Sequence, residues 1–340
     1  MGADALGLRV LFVDPDAGLG PALAMALVRL GATVAWSGAL PPPEGLTAVH
    51  AVAAGRSGPG GLLSLPSRAY DAAVDFGARG PLGAAALARP LRGKVGLVVQ
   101  LGTWRVYAGA VEPGRWLGDA VPPPALPLLE SAAKRDGTAL AAEDALWAAR
   151  AGGGYPATVL RLAALYGPGV ACAREWHVVG RLRAGRRQMA VPDGGLHLMH
   201  RLYVDNAVHA IVRTLDRPLE VDGRAFNVGD AHVPTARALC VDIAQALGQT
   251  MAAVPVPASR YAAHNPWATP APVVLDLHQA RLRLGPVAPV DHATALQRTA
   301  EWLWQLAEDE AVPRLAPYFA RFAAGHDYAA EDVALREWGA

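Results

Sequence analysis

The chain has 340 residues, a formal net charge of +1, 52% hydrophobic and 18% charged residues, a balance that speaks against a nucleic-acid surface as the main partner. It is long enough for one large α/β domain or two smaller ones, and its two cysteines, Cys172 and Cys240, are too few for a disulfide framework and fit a reducing compartment. The first residues, Met-Gly-Ala-Asp-Ala-Leu-Gly, lack the regions of a signal peptide, and no run reaches the roughly eighteen apolar residues of a membrane span. The expectation is a soluble cytoplasmic protein that meets no membrane.

Residues 9–13, Arg-Val-Leu-Phe-Val, read as a buried strand and 20–31 as the helix after it. A second strand is expected over 32–37, a Pro/Gly-rich stretch over 38–45, a third strand over 48–54 and a Gly-rich loop over 55–61. Residues 70–77 read as a fourth strand and the Ala/Leu-rich 82–91 as a helix. The apolar run 94–101 suits a strand buried on both faces. A helix over 138–150 and a strand over 157–162 continue the alternation, which implies a parallel, doubly wound sheet. Gly167-Pro168-Gly169 then breaks it, and a basic helix over 174–187 follows. Helices are expected over 204–215, 235–247, 276–284 and 292–307, a strand and turn over 224–229, and an irregular Pro-rich segment over 252–271. There is no internal repeat.

The turn after the first strand is Asp14-Pro15-Asp16-Ala17-Gly18-Leu19-Gly20. A dinucleotide-binding turn uses glycines so that backbone N–H groups can approach a pyrophosphate at the helix N-terminus. Here the last glycine is kept, while Asp14 and Ala17 stand where the first two would fall.

Five anchors follow in order: Gln100 to Tyr107, ending Val-Tyr after Thr103; Leu140-Ala-Ala-Glu-Asp-Ala-Leu146; Leu160 to Gly169; Tyr203-Val-Asp-Asn206; and Phe226-Asn-Val-Gly-Asp230. On these the chain, from about residue 9 to about 307, resembles the extended short-chain dehydrogenase/reductases, the NAD-dependent epimerase/dehydratase group. The resemblance implies a Rossmann-like doubly wound parallel sheet over 8–165, with 198–232 returning to it. It also implies a smaller C-terminal substrate lobe from 166–197 and 233–340, and a possible homodimer through the long Rossmann helices.

The family's chemistry uses a Tyr and a Lys four residues apart, the Tyr moving a proton and the Lys lowering its pKa. Counting back from Glu143 puts Ala139 at the Lys and Arg135 at the Tyr, and no Tyr lies between Tyr107 and Tyr155. Asp14 and Asp16 sit where a pyrophosphate would lie, and a carboxylate roughly 5 Å from a phosphate charge costs about 3 kcal/mol at an effective dielectric near 20. Strand two ends Trp36-Ser37-Gly38, without the acid that would hold a ribose diol. Ala164 and Met199 replace residues that nucleotide-sugar members use, so such a substrate is disfavoured. The expected cofactor state is therefore none, with NAD(P) as the alternative, in which case Gly18, Gly20 and Arg56 would hold it.

Thr103, Arg105 and Tyr107 follow a buried strand, and alternation puts them on one side of an extended chain. A hydroxyl, a cation and a phenol facing one cleft suit acid/base chemistry; packing of Tyr107 and a salt bridge at Arg105 is the plainer alternative. His197 and His200 enter the segment bordering the substrate pocket, and His200 is a candidate acid/base, against a surface donor. Trp176-His177 is a similar case, and no zinc site is expected because a third ligand is missing. The arginines at 174, 181, 183, 186 and 187 either hold an anionic substrate or form a solvated helix face. Both cysteines read as buried small residues. The tryptophans and the Pro-rich segment suggest an aromatic-lined pocket or plain core.

The leading expectation is a protein of small-molecule biosynthesis acting on a small organic molecule by non-redox cyclisation, isomerisation, dehydration or elimination. Two rivals stand beside it: an NAD(P)-dependent epimerase or reductase with a displaced acid, and a non-catalytic ligand sensor or partner subunit.

Overall fold

The structure, a computed structural model, describes residues 7–52, 62–77, 81–107, 128–132, 138–257, 265–267, 272–322 and 328–338. Its strands are β1 (Arg9–Val13), β2 (Thr33–Ser37), β3 (Val49–Ala51), β4 (Ala72–Asp75), β5 (Val98–Thr103) and β6 (Ala157–Leu162). They continue with β7 (Ala164–Tyr166), β8 (Gln188–Pro192), β9 (Arg201–Tyr203), β10 (Arg224–Val228) and β11 (Ala252–Val256). Seven of them form one parallel sheet in the order β10-β6-β5-β4-β1-β2-β3. The chain runs outward from β1 through β2 to β3, then returns to β4 on the other side of β1. That reversal leaves a crevice at the carboxyl ends of the strands, where open α/β sheets take ligands.

Continuous apolar runs make these strands because both faces of the sheet are covered. Alternate residues of β1 serve different layers: Val10 and Phe12 pack with Leu19, Leu23 and Leu27 of α1 (Leu19–Arg29), whereas Leu11 and Val13 face the opposite layer. That layer holds α2 (Pro81–Leu91) and α3 (Thr138–Ala151), which pack on each other and contribute Leu87, Leu91 and Leu146. Burying a side chain of this kind contributes about 1.5–3 kcal/mol.

The smaller lobe adds α4 (Trp176–Arg183), the parallel pair β8–β11 and α7 (Ala236–Ala246). Between them run α5 (Val204–Leu215) and the one-turn α6 (Pro218–Val221). In α5 the buried Val204, Ala207, Val208, Ile211 and Leu215 recur three and four apart, the spacing of one helix face, and α5 packs on α1. Thr235 caps α7 by accepting from the Ala238 N–H at 3.1 Å, and Asp291 caps His292–Gln305 by accepting from Thr294 at 3.0 Å. The later helices are His278–Leu284, His292–Gln305, Glu308–Arg314, Ala316–Phe322 and Tyr328–Trp338.

The structure differs from the sequence reading in places with identifiable causes. The first helix starts one residue early and stops at Arg29, β3 is only three residues long, and the basic helix shortens to Trp176–Arg183. The segment expected to be irregular from 252 opens with β11, which has strand geometry only because β8 lies beside it, Ala252 opposite Gln188. No helix among the described residues is long and apolar enough to cross a membrane.

Candidate functional site

The turn before α1 keeps the shape of a dinucleotide turn and fills it from within. Asp14 adopts φ +50°, the left-handed region that glycine enters without penalty, and its N–H donates to the Ser37 carbonyl at 2.7 Å. The Asp16 carboxylate then folds onto the start of the helix. Its Oδ1 accepts from the N–H groups of Gly18 (2.8 Å), Leu19 (2.6 Å) and Gly20 (3.4 Å). These are the donors that a helix start otherwise offers to an anion. The Gly169 carbonyl roofs the same turn, since a Cβ at Gly18 would lie 2.9 Å from it. A Cβ at Gly38, after β2, would stand 3.1 Å from the Asp14 Cα, so a side chain there would press on the turn.

Beside this turn lies a cavity of about 390 Å³. Its floor is the carboxyl end of β5 and β6 (Leu101, Gly102, Thr103, Leu162) with Phe76 after β4 and Leu19 of α1. Its far wall is the loop after β7, with Val170, Cys172 and Arg174, and Arg321 from the helix Ala316–Phe322. Thr103 and Arg105 both line it. The Thr103 Oγ1 accepts from the Arg105 N–H at 3.3 Å, which leaves its own proton to donate. Burial and the neighbouring Arg321 cation hold the Arg105 pKa below its ordinary value, with the Cys172 thiol pulling the other way.

Tyr107 does not join them. Residues Trp104–Tyr107 form a 3-10 turn, so the alternation expected of an extended chain fails and the ring swings inward. The Tyr107 hydroxyl donates to Asn227 Oδ1 at 2.5 Å and accepts from Arg161 at 3.1 Å. Arg161 in turn holds Glu143 through contacts of 2.7, 3.0 and 3.2 Å, all of it buried. Burial pushes the Tyr107 phenol up, against the pull of Arg161, so it stays protonated as a strut between β5, β6 and β10.

His200 is also committed elsewhere. Its Nδ1 accepts from the Leu275 N–H at 2.9 Å, which leaves Nε2 to donate to the Asp230 carbonyl at 2.7 Å. The Asp230 carboxylate accepts from the Tyr166 hydroxyl (2.9 Å), the Tyr203 N–H (3.1 Å) and Asn206 Nδ2 (2.8 Å). The two late sequence signatures therefore meet in one buried clasp that ties α5 to the end of β10. Burial lowers the pKa of His200, and of His209 and His292, below the ordinary 6.5. A histidine kept neutral by folding takes up a proton more readily when unfolded, so stability is present above the unfolded pKa and lost below it. The urea midpoint should hold level above neutrality and fall as pH drops through about 6.5. A midpoint unchanged well into the acid range would contradict this placement.

The arginines of the basic segment divide by place. Arg181 is fully buried against Glu331, correcting the solvated-face alternative, while Arg174 turns into the cavity. His177 is buried beside Trp267 and Tyr318. Cys240 is buried as expected, with its thiol pushed up by desolvation, whereas Cys172 is half-buried and lines the cavity. Arg56 lies outside the described residues, as does Arg135; Ala139, at the expected lysine position, is half-buried in α3. Among the described residues no group of three or more His, Cys, Asp or Glu is placed to hold a metal. Sequence reading missed Asp16 as an internal cap, and Cys172 and Arg321 as cavity residues, while Arg174 was among the arginines offered for an anionic substrate; of the missed residues only Asp16, three residues before the helix start, carried a legible signal.

Comparison with known proteins decides the family. A model of the NAD dependent epimerase/dehydratase family matches residues 49–229, more than half of the chain. The chain belongs to that family. Among solved structures, it is similar to an epimerase of Methanothermobacter thermautotrophicus, at TM-score 0.69 and 16% identity over 88% of this chain and 93% of that one. It is also similar to UDP-glucuronic acid 4-epimerase of Bacillus cereus in complex with UDP-glucuronic acid and NAD, at TM-score 0.67 and 15% identity over 88% and 100%. UDP-glucose 4-epimerase of Thermotoga maritima with UDP-glucose follows at TM-score 0.63 and 17% identity over 87% and 98%. At these identities the likeness is one of fold. No curated protein matches the chain in sequence.

The family implies NAD, and the residues present do not fit it in the usual manner. The N–H groups at the start of α1 are already paired with Asp16, and Gly38 is packed against Asp14.

Proposed function

We propose that this epimerase/dehydratase-family protein acts on a small organic molecule by non-redox acid/base chemistry, such as a cyclisation, isomerisation, dehydration or elimination, without the usual Tyr-Lys dyad. The single observation that carries the reading is the Asp16 carboxylate on the N–H groups of Gly18 and Leu19, beside a cleft that keeps its polar groups. In such a reaction a proton leaves one atom of the substrate and another is delivered to a second atom. That second atom stays in the molecule in an isomerisation or cyclisation and departs as water or another leaving group in a dehydration or elimination, so no external oxidant or reductant enters. Arg105 stands where it can face an oxygen on which negative charge grows, and the Thr103 hydroxyl where it can donate. Cys172 supplies a thiol to the same cavity. Tyr107 and His200, both expected to act here, hold the scaffold in this reading.

The second reading is an NAD(P)-dependent epimerase; the family match and the NAD-bound Bacillus cereus neighbour favour it. Turnover assayed with no nicotinamide added separates the two. The expected result is activity in the dinucleotide-stripped protein that falls by about 10²–10⁴-fold in Thr103→Ala or Arg105→Ala. Strict dependence on added NAD(P) would overturn the first reading in favour of the second. A protein that binds its ligand but turns nothing over in either condition would be a sensor or partner subunit.

A further inference from the structure

Arg105, Arg174 and Arg321 reach one cavity from three separate parts of the chain: the turn after β5, the loop after β7, and the helix Ala316–Phe322. Among the described residues, no carboxylate lies within ion-pair distance of any of them. The Nε of Arg174 is buried with no hydrogen-bond partner in the described structure. Each of the three lies over an aromatic ring. Arg105 lies 5.6 Å from the centre of the Trp104 ring, and Arg174 and Arg321 lie 5.7 and 5.6 Å from that of Phe322. A contact with a ring uses none of a guanidinium's N–H groups as hydrogen-bond donors to oxygen, and those groups match the two oxygens of a carboxylate or phosphate. Asp16, with its Oδ1 engaged by the helix, is the one acidic residue in the lining, so the wall carries three cations against one anion. The like charges also act on one another: beyond the larger effect of burial, Arg321 lowers the pKa of both Arg105 and Arg174.

We infer that the ligand of this cleft carries an oxyanion group, a carboxylate or a phosphate, seated between the guanidinium edges of Arg105, Arg174 and Arg321, with its apolar body against Phe76, Leu101 and Leu162. The inference deepens the proposed function and rests on the reading of this cleft as the small-molecule site. A cavity of about 390 Å³ is at the small end of the range that ligand sites occupy. Arg321 places a helix beyond the family match in the ligand's path, since that match ends at residue 229.

Calorimetric titration of the full chain with inorganic phosphate and with citrate, at constant ionic strength, tests it. Both probes should bind saturably, and Arg105→Ala or Arg321→Ala should each weaken binding about tenfold or more. Both residues remain open to solvent at the cleft even though the Arg105 guanidinium is partly desolvated there, so their removal should leave the fold intact, which a matching far-ultraviolet spectrum checks. Arg321→Lys should restore part of the affinity, and Arg29→Ala, at the other end of α1, should change nothing. Stronger binding of citrate points to a carboxylate ligand and stronger binding of phosphate to a phosphorylated one; either supports the site. No saturable binding at millimolar probe, or binding indifferent to Arg105 and Arg321, overturns it. Tight NADH binding by the same protein would overturn the non-redox reading separately, whatever the anions do.

Discussion

Glu331→Ala is expected to lower the unfolding free energy by about 3–5 kcal/mol, among the largest effects of any single substitution here. Both Glu331 and its partner Arg181 are fully buried, and the Arg181 Nε lies 3.1 and 3.0 Å from the two carboxylate oxygens. The same carboxylate accepts from the Ala190 N–H of β8 at 3.1 Å and lies 3.5 Å from Arg186. Alanine removes the anion and leaves a buried guanidinium without its counter-charge, although the His177 carbonyl still accepts from it at 2.7 Å. The cost is the uncompensated charge more than the lost attraction. Replacing both partners by apolar residues of similar size should therefore be far milder than either single change. Urea unfolding of the two single variants and the double variant measures this, with the slope in urea checked for constancy. A Glu331→Ala protein within about 1 kcal/mol of the parent would show that the helix Tyr328–Trp338 is not held in this way.

Asp16→Ala is expected to raise the affinity for NADH by roughly two orders of magnitude while costing about 1 kcal/mol of stability. The two effects have one origin. The carboxylate that satisfies Gly18, Leu19 and Gly20 takes the donors a phosphate would use and would repel one brought close to them. A charge roughly 5 Å away at an effective dielectric near 20 is worth about 3 kcal/mol. Asp14→Gly should add less, because the Asp14 backbone already has the glycine-like φ. NADH fluorescence titration and urea unfolding read the two quantities. A stability loss with no gain in NADH binding would place the obstacle in the Gly169 roof and the Gly38–Asp14 contact instead.

The sheet was legible because its signal is local. Val10–Val13 and Val98–Val99 are apolar runs that suit strands covered on both faces, Ala157–Leu162 is a largely apolar one, and their alternation with helices implied the parallel order. The cleft was legible in part. Thr103 and Arg105 follow from their place at the end of β5, but the 3-10 turn that hides Tyr107 depends on Asn227 and Arg161, each more than fifty residues away. His200 likewise looked like a free titrating group until Leu275 and Asp230 took its two nitrogens. Arg321 carried no signal at all, since only tertiary packing brings its helix to the far wall. Short-range patterns therefore found the scaffold, while the side chains that fill the cleft are set by long-range partners.

The internal carboxylate at α1 also bears on how the protein responds to its surroundings. A fold whose helix start is satisfied by a bound dinucleotide gains stability with ligand concentration, by RT ln(1 + [L]/Kd), and its folded fraction follows the supply of that ligand. Asp16 is joined to the chain three residues before the helix it caps, so its local concentration is fixed and never depleted. On the proposed cofactor-free reading, this corner of the molecule draws its stability from within the chain, and the folded fraction should not follow the nicotinamide supply.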